Sequence, residues 1–128
     1  MTREARINEA LALALFGWVR QSATGITGEI VWWERRSPCP DGSPFEYTVV
    51  KQTCHIPDYC TTWEGMRMVV EGMGKQEYMT DMVHRPDGKA SARMQSPRLV
   101  TGEWVNAPTA PMAASLAALA ALGQEVPE

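Results

Sequence analysis

A chain of 128 residues, 45% apolar and with a formal net charge of -3, has room for one real core and the composition of an ordinary globular protein. That charge is too small for a mimic of nucleic acid and of the wrong sign for a strong nucleic-acid binder, so no direct nucleic-acid binding is expected. The charged start MTREARINEA has no central apolar run, and the alanine-rich C-terminal stretch is short and interrupted by Pro108 and Pro111. Neither a signal peptide nor a membrane span is expected, and the reading is a soluble cytoplasmic protein.

Ile7, Leu11, Ala14, Leu15 and Trp18 share one helical stripe, which predicts a helix over 3–18 with Thr2 as N-cap. QSATGITGE then reads as loop. EIVWWERR is apolar on both faces, with Ile30 and Trp32 on one and Val31 and Trp33 on the other. After the turn-forming SPCPDGSP, FEYTVVKQT alternates Phe45, Tyr47 and Val49, so a long-looped hairpin is expected over 29–53. Pro57 favours extended backbone before it. Thr61 and Glu64 then predict a capping box for a helix over 61–73, with Trp63 in its first turn locking the corner against the core. Strands follow over 76–106, with RPDGKA as a hairpin turn, and a helix over 109–122 carries Met112, Leu116, Leu119 and Leu122. The expected fold class is α+β in a single domain. It is an αβα layered sandwich of three helices on one mostly antiparallel sheet of four to five strands.

The chain resembles the phage αβα-sandwich domain family. Four pieces carry the likeness: the helix end Phe16-Gly17-Trp18, the strand Val31-Trp32-Trp33, the corner Pro57-Asp58-Tyr59-Cys60-Thr61-Thr62-Trp63-Glu64, and the small-residue run from Ala107 to Leu116. In that family the corner usually reads Pro-x-Tyr-Ser-Thr before a helix with a buried tryptophan. Cys60 stands where serine is usual, and Trp63 falls several positions early. The resemblance implies a phage or prophage source and a layered αβα fold. It implies no established reaction.

Candidate chemistry is sparse. Cys39, Cys54, His55 and Cys60 lie close in sequence, with His84 further on, but without a CxxC pair. Adjacent Cys54 and His55 point to opposite faces of a strand, so zinc is a weak reading and free core thiols the plainer one. A Cys60 thiol paired with His55 or His84 is the corresponding enzymatic reading, also weak, since no GxSxG, phosphate loop or HExxH is present. Neither a cofactor nor catalysis is expected.

Aromatics beside cations are the stronger signal. Trp32 and Trp33 precede Arg35 and Arg36, and Tyr59, Arg67 and Trp104 add flat surface and charge. Such sets stack on bases and grip phosphate, although strand tryptophans are also ordinary core residues. Alanines repeat every four residues on two faces of the C-terminal helix, which suits either a dimer through that helix or plain helix propensity. The leading expectation is a non-enzymatic phage protein that counters host defence by sequestering a nucleotide-like signal. The alternative is a protein–protein inhibitor of a host defence complex such as a CRISPR effector.

Overall fold

The computed structural model describes residues 2–38, 47–96 and 102–127; Cys39 and Phe45 lie outside them. In chain order the elements are α1 (Arg3–Ala14), β1 (Trp18–Gly25), β2 (Gly28–Pro38), β3 (Tyr47–Thr53), α2 (Trp63–Lys75), β4 (Met79–His84), β5 (Ala90–Gln95), β6 (Val105–Ala107) and α3 (Ala110–Ala121). The α+β class holds, with three helices among the described residues. The expected single sheet of four to five strands does not: there are two antiparallel three-stranded sheets, β1-β2-β3 and β4-β5-β6. Two compact units result, one of Gly17–Ile56 and one of Met1–Phe16 with Pro57–Glu128. No helix among the described residues is long and apolar enough to cross a membrane.

The additional strand is β1, in a stretch read from sequence as helix end and loop. The helix stops early because Gly17 takes the left-handed φ of 71°, which releases Trp18 into extended backbone. β1 then pairs with β2 around the Ile26-Thr27 turn, from Trp18 opposite Arg35 to Gly25 opposite Gly28. Gly28 has φ 124°, which a side chain would oppose. Between β2 and β3 the register steps from Arg35–Lys51 to Arg36–Val49, so Val50 is the extra residue of a bulge.

In the larger unit the corner before α2 is pinned to α1. The Cys60 N–H donates to the Asn8 side-chain oxygen at 3.1 Å, and the Asn8 amide donates to Asp58 at 3.3 Å. Tyr59 is fully buried, its ring stacked on Phe16 at 4.8 Å. Tyr59 therefore occupies the place expected for Trp63. Trp63 is the first residue of α2, is 63% exposed, and stacks on His84 at 6.1 Å. The cap is also one residue later than expected. Thr62, not Thr61, accepts from the Gly65 N–H at 2.9 Å, and Glu64 pairs with Arg67 at 2.7 Å instead of closing a capping box. Gly65 is required by this close approach. A Cβ there would meet the Asp58 carbonyl oxygen and lie 2.6 Å from the Tyr59 Cα.

The Arg85–Lys89 hairpin joins β4 to β5 as expected, with Gly88 at φ 85°. Helix α3 begins at the Thr109 cap and lies at the centre of the unit, packed on β4, β5, β6, α1 and α2. Every residue from Ala110 to Leu119 is buried. Small side chains on several faces let backbones approach from all these directions at once, so Ala110, Ala113, Ala114, Ala117 and Ala118 of the faces considered for a second copy are covered by this chain itself, while Ala121 stays partly exposed.

Candidate functional site

The candidate ligand residues fall in both units. In the smaller one, Trp33 is buried and Trp32 is partly buried. Trp32, Glu34 and Arg36 follow the period-2 alternation of one strand face. Glu34 is only 6% exposed and collects their donors: Trp32 Nε1 at 2.9 Å, Arg36 Nε at 3.0 Å, and Gln52 Nε2 at 3.1 Å from the opposing strand. The Trp32 bond, with those from Arg36 and Gln52, holds the Glu34 carboxyl below its usual range against the opposing cost of burial. On the other face the Arg35 guanidinium lies 5.0 Å from the centre of the Trp18 ring. Arg35 and Arg36, two of the three arginines expected to hold phosphate, thus have partners within their own sheet. Beside Trp32, an open hollow of about 380 Å³ is bordered by Gln52, Thr53 and Cys54.

In the larger unit, Tyr59 is core and presents no surface. Arg67 is exposed on α2 between Glu64 at 2.7 Å and Glu71 at 3.9 Å. Trp104 is different. It is 43% exposed and borders a cavity of about 550 Å³ whose walls come from Tyr78 just before β4, the end of β5, the segment entering β6 and the end of α3. Tyr78, Met94, Ala117 and Ala121 give it an apolar lining, and Ser96 and Glu103 add polar groups. Tyr78 is held in place by donating its hydroxyl to the Ala121 carbonyl at 3.4 Å. The Arg93 guanidinium stands 4.5 Å over the Trp104 ring and also bonds Asp81 at 2.9 Å, which fixes the tryptophan at the rim. Gln95 donates to the same Asp81 carboxylate.

Cys54 is exposed, as is His55, while Cys60 is buried in the other unit. No group of three or more His, Cys, Asp or Glu among the described residues is arranged to hold a metal ion. Burial, helped by the nearby Glu4 and Asp58 charges, pushes the Cys60 thiol up to about 11. It is therefore a protonated thiol at neutral pH, donating to the Glu4 carbonyl at 3.5 Å, and not a nucleophilic thiolate.

Sequence reasoning singled out Trp104 but missed Glu34, Trp18, Arg93 and Glu103. The alternation Trp32-Glu34-Arg36 was a usable signal for Glu34. The cavity had none, because its walls come from positions 78 to 121 and meet only through tertiary packing.

No family model matches the chain, and no curated protein does. Among solved structures it is similar to a phage protein from Bacillus cereus. The TM-score is 0.61 at 23% identity, over 98% of this chain and 91% of that one. The chain therefore has the fold of a phage protein.

Proposed function

We propose that this is a non-enzymatic, phage-encoded binding protein that counters host defence by sequestering a nucleotide-like small molecule in the Trp104 cavity. The carrying observation is the cavity itself. At about 550 Å³ it falls within the range of small-molecule sites and combines an apolar floor with one exposed indole and few polar groups. The fold shared with a phage protein supports the setting. The buried, protonated Cys60 supports binding over catalysis.

A second reading, inhibition of a host protein, is favoured by a different feature. The smaller unit exposes Ile26 at its hairpin tip, with Ile30, Val49 and Val50, and apolar side chains of this kind serve as partner anchors. One experiment separates the two. Nucleosides and nucleotides are titrated calorimetrically into wild type, Trp104→Ala and Ile26→Asp, and each variant is expressed in a defended host challenged with phage. The expected outcome is binding and phage rescue that Trp104→Ala weakens at least about tenfold and Ile26→Asp leaves intact. Rescue lost only in Ile26→Asp would establish the second reading. Titrations in which no member of the panel binds would overturn the first.

A further inference from the structure

The β1–β2 hairpin of the smaller unit has an open edge whose chemistry is self-complementary. No residue from Val19 to Trp32 is buried. β1 covers one side of β2 along this whole stretch, but β3 meets β2 only from Trp33 to Pro38. Among the described residues the sheet is thus a two-stranded ribbon from Gly28 to Trp32, and such ribbons are marginal in water until another strand or a helix is added. Hydrogen bonding alternates along the hairpin. The Ile26-Thr27 turn joins Gly25 and Gly28 as a bonded pair, so Gly28, Ile30 and Trp32 bond towards β1. Glu29 and Val31 therefore turn their N–H and C=O groups to the open side, in line with Trp33, which uses that side to meet Thr53. Outward backbone groups of this kind are a template for a further strand.

We propose that this strand is β2 of a second copy, paired antiparallel about a two-fold axis at Ile30. The charges and the pairing of β3 select the register. Centring the axis on Glu29 would set that carboxylate directly opposite its own copy, which is destabilising. Centring it on Val31 would call on Trp33, whose open side Thr53 already occupies. Centring it on Ile30 sets each Glu29 opposite Val31 of the other copy and uses the outward N–H and C=O groups of both residues. The exposed Ile30 side chains then meet at the axis, and Trp32 faces Gly28, which has no side chain to oppose the indole. The exposed Ile26 of the second copy arrives beside the hollow of about 380 Å³ bordered by Trp32, Gln52, Thr53 and Cys54. The contact is isologous, so it closes at two copies, and it uses no residue of the Trp104 cavity.

Sedimentation velocity of wild type from about 1 µM to about 1 mM should show monomer and dimer in equilibrium. Val31→Pro removes a donor on the open side while leaving the bonds to β1, and should weaken the dimer at least about tenfold. Ile30→Lys, which brings like charges together at the axis, should do the same. The register is read separately by Ile30→Cys and Glu29→Cys under mild oxidation, with the new bridge located by peptide mapping because the chain has cysteines of its own. Ile30→Cys should bridge between copies at least about tenfold faster than Glu29→Cys, since only residues opposite each other at the axis lie within disulfide reach. A wild type that is monomeric at every concentration would overturn the proposal and leave the apolar hairpin to a host protein. A dimer that Val31→Pro and Ile30→Lys both retain, or faster bridging by Glu29→Cys, would overturn it as well.

Discussion

Two ionisable side chains show how the same burial produces opposite outcomes. Glu34 and Cys60 are both almost fully covered, at 6% and 1% exposure. Glu34 has three donors aimed at it, so its charged form is favoured and its carboxyl titrates low. Its contribution to stability is present above the usual carboxylate range and is lost as pH falls through its lowered value. Cys60 has no such donor set: burial dominates, and its thiol is pushed up to about 11 from an ordinary 9.0. The sign is therefore reversed. Between those two values the folded chain holds a proton that the unfolded chain has released, so stability is full below about 9 and is lost as pH rises through about 11. Urea unfolding of wild type and Cys60→Ser at pH 8, 9.5 and 11 tests this, because serine keeps the small polar side chain without the titration. Wild-type stability should fall more steeply than that of the variant across this window, and parallel curves would refute the assignment.

Helix α2 shows how a single position in the sequence controls an element's start. Thr61 and Thr62 are neighbours of identical type, and both are exposed. Thr62 has the extended backbone of an N-cap, and its hydroxyl both accepts from Gly65 and donates to the Asp58 carbonyl at 2.8 Å. Thr62→Ala should cost about 0.5–2 kcal/mol in chemical denaturation, the range for removing such a cap. Thr61→Ala should change stability by much less, and equal losses would place the cap wrongly. The cap of this helix was legible to within one residue, though its span of 63–75 lies two residues beyond the expected 61–73, because the cap chemistry is local. The same holds for α3 and for the Asp87-Gly88 turn. Strand β1 was not legible, because WVRQSATG is polar and its Trp18 fits the α1 stripe; only the left-handed Gly17 breaks that pattern. The division into two sheets was equally hidden, since strand pairing is decided between segments far apart in sequence. At the candidate site, residue type pointed to Trp104. Of the residues around it, Arg93 is brought over the ring only by packing between strands, and Glu103, although next to Trp104 in the chain, carries no motif that marks the pair as bordering a cavity.

For the molecule as a whole, the C-terminal helix decides what kind of assembly is available. An alanine-rich helix invites close packing, and two copies of the chain could in principle supply it. Within the larger unit α1, α2 and the strands of the second sheet already do so, and Ala113, Ala114 and Ala118 have no exposure left to offer. The small residues are used to gather five elements around one axis, which explains how a short chain with few large aliphatics builds a dense interior. The buried part of α3 is therefore expected to respond to substitution as core, with any self-association through another surface. Ala114→Leu adds three carbons where none fit, and overpacking of this kind costs about 1–3 kcal/mol. Thermal unfolding of wild type and variant over a hundredfold range of protein concentration distinguishes the two roles. Destabilisation of a core lowers the midpoint by the same amount at every concentration. Loss of a dimer contact removes a concentration dependence that the wild type would show, because association stabilises by mass action. The expected result is the uniform shift. A wild-type midpoint that climbs with concentration, and a variant midpoint that does not, would instead make α3 the interface.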